Sequence, residues 1–290
     1  MPLIGFECPK CGKTTGLEDG PMHLHDCGAI MAQAAQALID ADGDERRMLG
    51  GGASPSIGNA DTTCRRELLL RRHYPYTMNP FRLWAALEGV AYHKGLLELS
   101  GLLPDWEVEV GFPREEDQGL PGIRRNERWH FLQAEVWPGV WMSARVDAWN
   151  RETGTILNLK STRTTKVDYG FKKDWGVQSN LERMVMEKCG VKVQEMEIWR
   201  VYKGCYDDAT AWRKFIVPRI PDELLREQCE GFLRELIEWD DRMEEAEDKD
   251  VVLDKVPLEG LDRRMFNGKK CTHYCSSYKL CMAKAGRVVF

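Results

Sequence analysis

The sequence predicts an α/β fold in which a mixed central sheet is flanked by helices. Three observations carry this. Apolar residues recur at helical spacing between Asp61 and Leu99, strand-like segments follow one another from Glu107 to Ser161, and helical and strand patterns then alternate as far as Glu247. The first helical stretch opens an apolar face at Leu68, Leu69 and Leu70 and breaks at HYPYTMNP. It resumes near Pro80, where Leu83, Trp84, Leu87, Val90, Ala91 and Leu97 form a stripe. Strands are expected over 107–112, 129–136, 140–149 and 155–161. A helix near 175–188, strands at 198–202 and 212–217, and a long amphipathic helix over 221–247 complete the order. Pro221 suits the first turn of that last helix, and Leu225, Phe232, Leu236 and Met243 form its buried stripe.

A chain of 290 residues with 43% apolar content supports a large core and argues against disorder. No apolar run approaches the ~20 residues that span a bilayer. The N-terminal MPLIGFECPKCGK lacks the features of a secretory signal. A cytoplasmic, reducing location with no membrane partner is therefore expected. The formal charge of −5 is uneven: residues 222–250 hold 13 Asp/Glu against 4 Lys/Arg, a local −9, which leaves +4 elsewhere. The acidic stretch reads most simply as a solvated helix face. Basic clusters at Arg65, Arg66, Arg71 and Arg72, at Lys160 to Lys173, and at Arg263 to Lys270 offer a phosphate-facing surface despite the acidic total.

Ten cysteines in such a chain suggest metal sites more than disulfides. Cys189, Cys205 and Cys229 read as ordinary thiols. Cys8-Pro-Lys-Cys11-Gly resembles a zinc-ribbon knuckle, and Cys27-Gly28 closes the site. His23 or His25 is the fourth ligand, with His23-x3-Cys27 the better spacing. The expected organisation is a zinc-binding module over 1–40, a Gly- and Ser-rich linker over 41–60, and one large domain over 61–290.

The most informative stretch is ARVDAWNRETGTILNLKST. A four-residue turn over 151–154 pairs Asn150 with Thr155 and so sets Asp147 opposite Asn158. Directly opposed residues share a face, and Lys160 lies on the same one. Asp147, Asn158 and Lys160 therefore converge. A carboxylate and a second oxygen donor hold Mg²⁺ or Mn²⁺, and a lysine beside the ion positions the attacking water and offsets phosphate charge.

Upstream, a helix carries His93 in EGVAYH; downstream, another carries Gln178 in QSNLE. The order of helix His, strand Asp, strand x-x-Lys and helix Gln resembles the RecB-like branch of the PD-(D/E)XK nuclease superfamily over about residues 61–285. That resemblance implies a restriction-endonuclease-like core with its sheet flanked by helices, and metal-dependent cleavage of DNA, chiefly as an exonuclease on single-stranded ends. His93, Asp147 and position 158 would bind the metal, Lys160 would assist the water, and Gln178 would belong to the Gln-x-x-x-Tyr helix. Two residues depart from the pattern. The acid before x-Lys is Asn158, which suggests an inactivated form, and the tyrosine position holds Glu182. The alternative is a catalytically silent nucleic-acid-binding or assembly protein.

Cys64 lies far upstream of Cys271, Cys275 and Cys281. This one-plus-three arrangement resembles CRISPR-associated and helicase-linked relatives whose nuclease domain is clasped by an iron–sulfur cluster. It implies a 4Fe–4S cluster on those four thiolates, although zinc suits the same set and His273 is a lesser substitute ligand. DNA is the expected partner, alongside a protein partner in a recombination, repair or replication complex.

Overall fold

A strand buried on both faces needs apolar residues in succession, and TILNLKST supplies them. In the computed structural model, which describes residues 3–7, 14–16, 63–78, 89, 91, 95, 105–108, 132–144, 146–162, 171–202, 212–257 and 278–286, this segment is the central strand of the largest sheet. The described strands are β1 (Leu3–Glu7), β2 (Thr14–Gly16), β3 (Tyr76–Met78), β4 (Glu107–Val108), β5 (Leu132–Trp137), β6 (Val140–Ala144), β7 (Ala148–Asn150), β8 (Thr155–Thr162), β9 (Glu195–Tyr202) and β10 (Trp212–Ile216). The described helices are α1 (Arg65–His73), α2 (Lys173–Lys188), α3 (Asp222–Glu245), α4 (Lys249–Leu253) and α5 (Tyr278–Lys284). The fold is α/β, with a mixed sheet flanked by helices.

One compact unit comprises residues 49–59 and 89–234. Its five-stranded sheet has the order β10-β9-β8-β7-β4, antiparallel throughout except for the parallel pair β8 and β9. A parallel pair needs a crossover, and α2 supplies it. This helix presents Val177, Leu181, Met184 and Val185 to the interior, a 3.6-residue stripe. Its C-terminal turn ends at Gly190, whose φ of 84° closes the helix as glycine readily does.

The hairpin leading into β8 has the expected register, Asn150 opposite Thr155. The turn is held by the Gly154 amide donating to the Asn150 carbonyl at 2.9 Å. The Gly154 carbonyl in turn accepts from the Gln194 amide at 2.8 Å, which ties the turn to the start of β9. The expected strand over 140–149 is two strands: β6 pairs with β5 in a separate two-stranded sheet, whereas β7 pairs with β8. Asp147 forms a bend between them.

The other unit comprises residues 1–48, 60–88 and 235–290. The break at 59/60 falls at the end of the expected linker, and residues 60–88 group with the N-terminal segment. β1 pairs with β2 on one side and in parallel with β3 on the other. The N-terminal segment thus shares a sheet with residues that follow the expected linker. α1 packs on α4 and α5. The basic cluster expected to face phosphate lies largely inside this unit. Arg66 is buried and donates to the carbonyls of Leu253 and Val256, satisfying the C-terminal end of α4. Arg65 pairs with Glu235 at 2.7 Å, and Arg72 Nε and His73 Nε2 reach Asp240 at 3.0 and 2.7 Å. The acidic helix is accordingly more than a solvated face. Asp240 is only 3% exposed, and the desolvation cost of that burial is offset by the two donors that share its carboxylate.

Gly154 sets the register of the strand that carries Asn158 and Lys160. Its φ is +68°, and an added Cβ would meet the Lys192 carbonyl and Gln194 Cγ at 2.9 Å. Gly154→Ala should lower stability by about 1–3 kcal/mol, read as a fall in the urea midpoint with an unchanged m-value.

Candidate functional site

The β8 residues Asn158 and Lys160 project toward α2, and that helix answers with Gln178, Ser179 and Glu182. The spacing i, i+1, i+4 puts all three over one stretch of strand. Asn158 Nδ2 donates to Ser179 Oγ at 3.0 Å and to Glu182 Oε2 at 2.6 Å. Lys160 Nζ donates to Gln178 Oε1 at 3.2 Å, and Gln178 Nε2 donates to Glu182 Oε1 at 2.8 Å. Both carboxylate oxygens of Glu182 are therefore occupied by amide donors. On the sheet side, Asp147 Oδ2 accepts from the Leu159 backbone amide at 2.7 Å. The strand break makes this contact available, since β7 begins only at Ala148 and the Ala148–Leu157 pair is the last one on that side.

Four predicted residues, Asp147, Asn158, Lys160 and Gln178, are thus brought together in one connected patch. His93 lies outside the described residues. The residue that sequence reading missed is Glu182, which was noted only as a departure from an expected tyrosine. It is 2% exposed, and burial pushes its carboxyl up to about 7. Lys160, Asn158 and Gln178 pull the value down, and the Asp147 carboxylate raises it. Two acids that sense each other, one carrying a large desolvation cost, make a place where a cation is favoured. The signal was present: Glu182 follows Gln178 by four positions, one helical turn along the same face.

The amide nitrogen of Asn158 faces Glu182, so the residue donates to a carboxylate. The negative charge absent from position 158 is present one layer above it, on the helix.

Of the expected cluster ligands, Cys64 and Cys281 are described and Cys271 and Cys275 lie outside the described residues. Cys64 is the N-terminal cap residue of α1, Cys281 lies on α5, both are buried, and the two helices pack together. Cys8, Cys11, His23, His25 and Cys27 lie outside the described residues. The strands on either side of 8–13 form an antiparallel hairpin with Glu7 opposite Thr14. Among the described residues no group of three or more His, Cys, Asp and Glu stands at metal-binding range. Cys189 and Cys229 are core thiols whose burial pushes them up to about 11. No described helix is long and apolar enough to cross a membrane.

Glu182 generates a pH dependence of stability. Its folded value of about 7 exceeds the ordinary 4.5, so between those values the folded chain keeps a proton that the unfolded chain has released. Stability then falls as pH rises across that window. Urea titrations in chelator should show Glu182→Gln gaining stability relative to wild type between about pH 5 and about pH 8. A constant difference between the two proteins would show that Glu182 does not titrate in this way.

No protein-family model matches the chain, and no curated protein matches it. Among solved structures it is similar to one described as the crystal structure of SSO0001, at 13% identity and a TM-score of 0.49, covering 89% of this chain and 99% of that one.

Proposed function

We propose that the chain is a metal-dependent DNA nuclease with a restriction-endonuclease-like core of the PD-(D/E)XK kind, acting in the cytoplasm as an exonuclease on single-stranded ends. The observation that supports this best is the convergence of Asp147, Lys160 and Glu182, linked by Asn158 and Gln178. The choice of single-stranded ends follows from the family resemblance.

The donor set fits Mg²⁺ or Mn²⁺, which favour carboxylate oxygen. Asp147 and Glu182 would hold the ion, with His93 as a further ligand. When bound, the ion supplies positive charge to the phosphate and acidifies water. The chain's own groups do the rest. The Leu159 amide fixes the Asp147 carboxylate. Asn158 and Gln178 orient Glu182 from its two oxygens. Gln178 also restrains Lys160, whose ammonium positions the attacking water and offsets charge developing on the phosphate.

In the same reading Cys64, Cys271, Cys275 and Cys281 hold a 4Fe–4S cluster, supported by the packing of α1 on α5. Cys8, Cys11, His23 and Cys27 hold zinc, supported by the hairpin that brackets 8–13. A partner within a recombination, repair or replication complex belongs to the proposal as well. A second reading, a catalytically silent nucleic-acid-binding or assembly protein, is favoured by the neutral amide at Asn158.

Cleavage of labelled single-stranded DNA with Mn²⁺ or Mg²⁺ tests the two readings. Wild type should cut, and Asp147→Asn, Lys160→Ala and Glu182→Gln should each slow cutting by ~10²–10³-fold. Returning the carboxylate to the strand, in Glu182→Gln with Asn158→Asp, should recover at least ~10-fold of the loss. Wild-type protein that binds DNA and never cuts it supports the silent reading instead.

For the cluster, anaerobically purified protein should be brown with about four iron atoms per chain, and Cys281→Ala should lose both colour and iron. Colourless protein containing zinc at the C-terminal thiols would overturn the iron–sulfur assignment.

A further inference from the structure

Three cations stand in one row across the sheet. Lys160 of β8 pairs with Arg200 of β9, and Arg200 pairs with Arg213 of β10. Directly paired residues share a face, so all three lie on the side that α2 covers above Asn158 and Lys160. Strand pairing thus brings three cationic side chains to one face, with backbones ~4.8 Å apart.

The middle member is the most constrained. Arg200 is 4% exposed, with its guanidinium carbon 4.5 Å from the Tyr202 ring centroid and 5.2 Å from that of Phe215. Two aromatic neighbours fix the guanidinium plane, as phosphate recognition by arginine requires. Tyr202 is 5% exposed, and its hydroxyl is buried with no hydrogen-bond partner among the described residues. A buried hydroxyl of this kind calls for a partner that the described residues do not supply. Tyr202 pairs with the half-buried Thr162 at the carboxyl ends of the parallel strands β8 and β9. In open α/β sheets this is where ligands bind.

We infer that Arg200 and the Tyr202 hydroxyl form a phosphate subsite beside the Lys160 centre. It holds the nucleic-acid strand at a phosphate neighbouring the one cleaved, and Arg213 extends the track toward the β10 edge of the sheet. The subsite rests on the nuclease reading above and specifies how that site grips its substrate.

Affinity of the full chain for a fluorescent single-stranded oligonucleotide, with Ca²⁺ in place of Mg²⁺ or Mn²⁺, is measured against KCl concentration. Loss of one phosphate contact reduces the slope of log affinity on log salt by ~0.7. Arg200→Gln should show that reduction, and Arg200→Lys should keep a slope near wild type. Tyr202→Phe, which removes one oxygen and no charge, should weaken binding severalfold at an unchanged slope. Replacing single phosphates by methylphosphonates should reveal one linkage where wild type loses affinity and Arg200→Gln does not. A folded Arg200→Gln protein with wild-type slope and wild-type linkage profile overturns the subsite and leaves the nuclease reading standing. Should Arg200→Gln not fold, a Tyr202→Phe protein with wild-type affinity and linkage profile overturns it equally. Wild-type protein that binds no oligonucleotide overturns both.

Discussion

The hydrogen bond from Asn158 to Glu182 joins the central strand to the helix that crosses over it, and the site depends on it. A carboxylate buried this deeply is tolerable only if its oxygens are satisfied and a charge of opposite sign is near. Asn158, Gln178 and Lys160 meet those conditions together. Removing the strand amide would leave Glu182 both desolvated and under-satisfied. Replacing Glu182 by an apolar residue would leave two amides and an ammonium without their acceptor. The polar layer between sheet and helix is thus a single unit whose members justify one another.

The frame around this layer is laid down by local rules. The Gly154 turn fixes the register of β8, and the bend at Asp147 releases a carboxylate to take the Leu159 amide. α2 is seated by its apolar stripe, which leaves its polar edge facing Asn158 and Lys160. In the other unit, Arg65, Arg66 and Arg72 spend their charge on helix carbonyls and on the acids of α3. On the sheet, strand pairing rather than sequence proximity brings Arg200 and Arg213 together.

Much of this was legible in the chain. Alternation and turn chemistry indicate the hairpin register from Asn150 and Thr155, and helical periodicity indicates α2 and α3 within a few residues. The convergence of Asp147, Asn158, Lys160 and Gln178 followed from pairing rules and resemblance. Three features were not legible, each for a tertiary reason. The switch of strand partners between Ala144 and Ala148 leaves the alternation of apolar residues intact, so the pattern reads as one strand. The burial of Asp240 depends on Arg72 and His73, which lie far away in the chain. Glu182 occupies the tyrosine position of the motif and so reads as a departure from it, and only the docking of α2 on β8 shows that it faces the strand.

Glu182 arrives on a helix, whereas Asp147 arrives from the sheet, so the separation of the two acids is a property of tertiary docking. A nascent or partly unfolded chain with the β7–β8 hairpin formed and α2 undocked has only half of the anionic pair. An acidic pair built this way is complete only when α2 lies on β8, so its integrity reports on the docking of that helix and not on the hairpin alone.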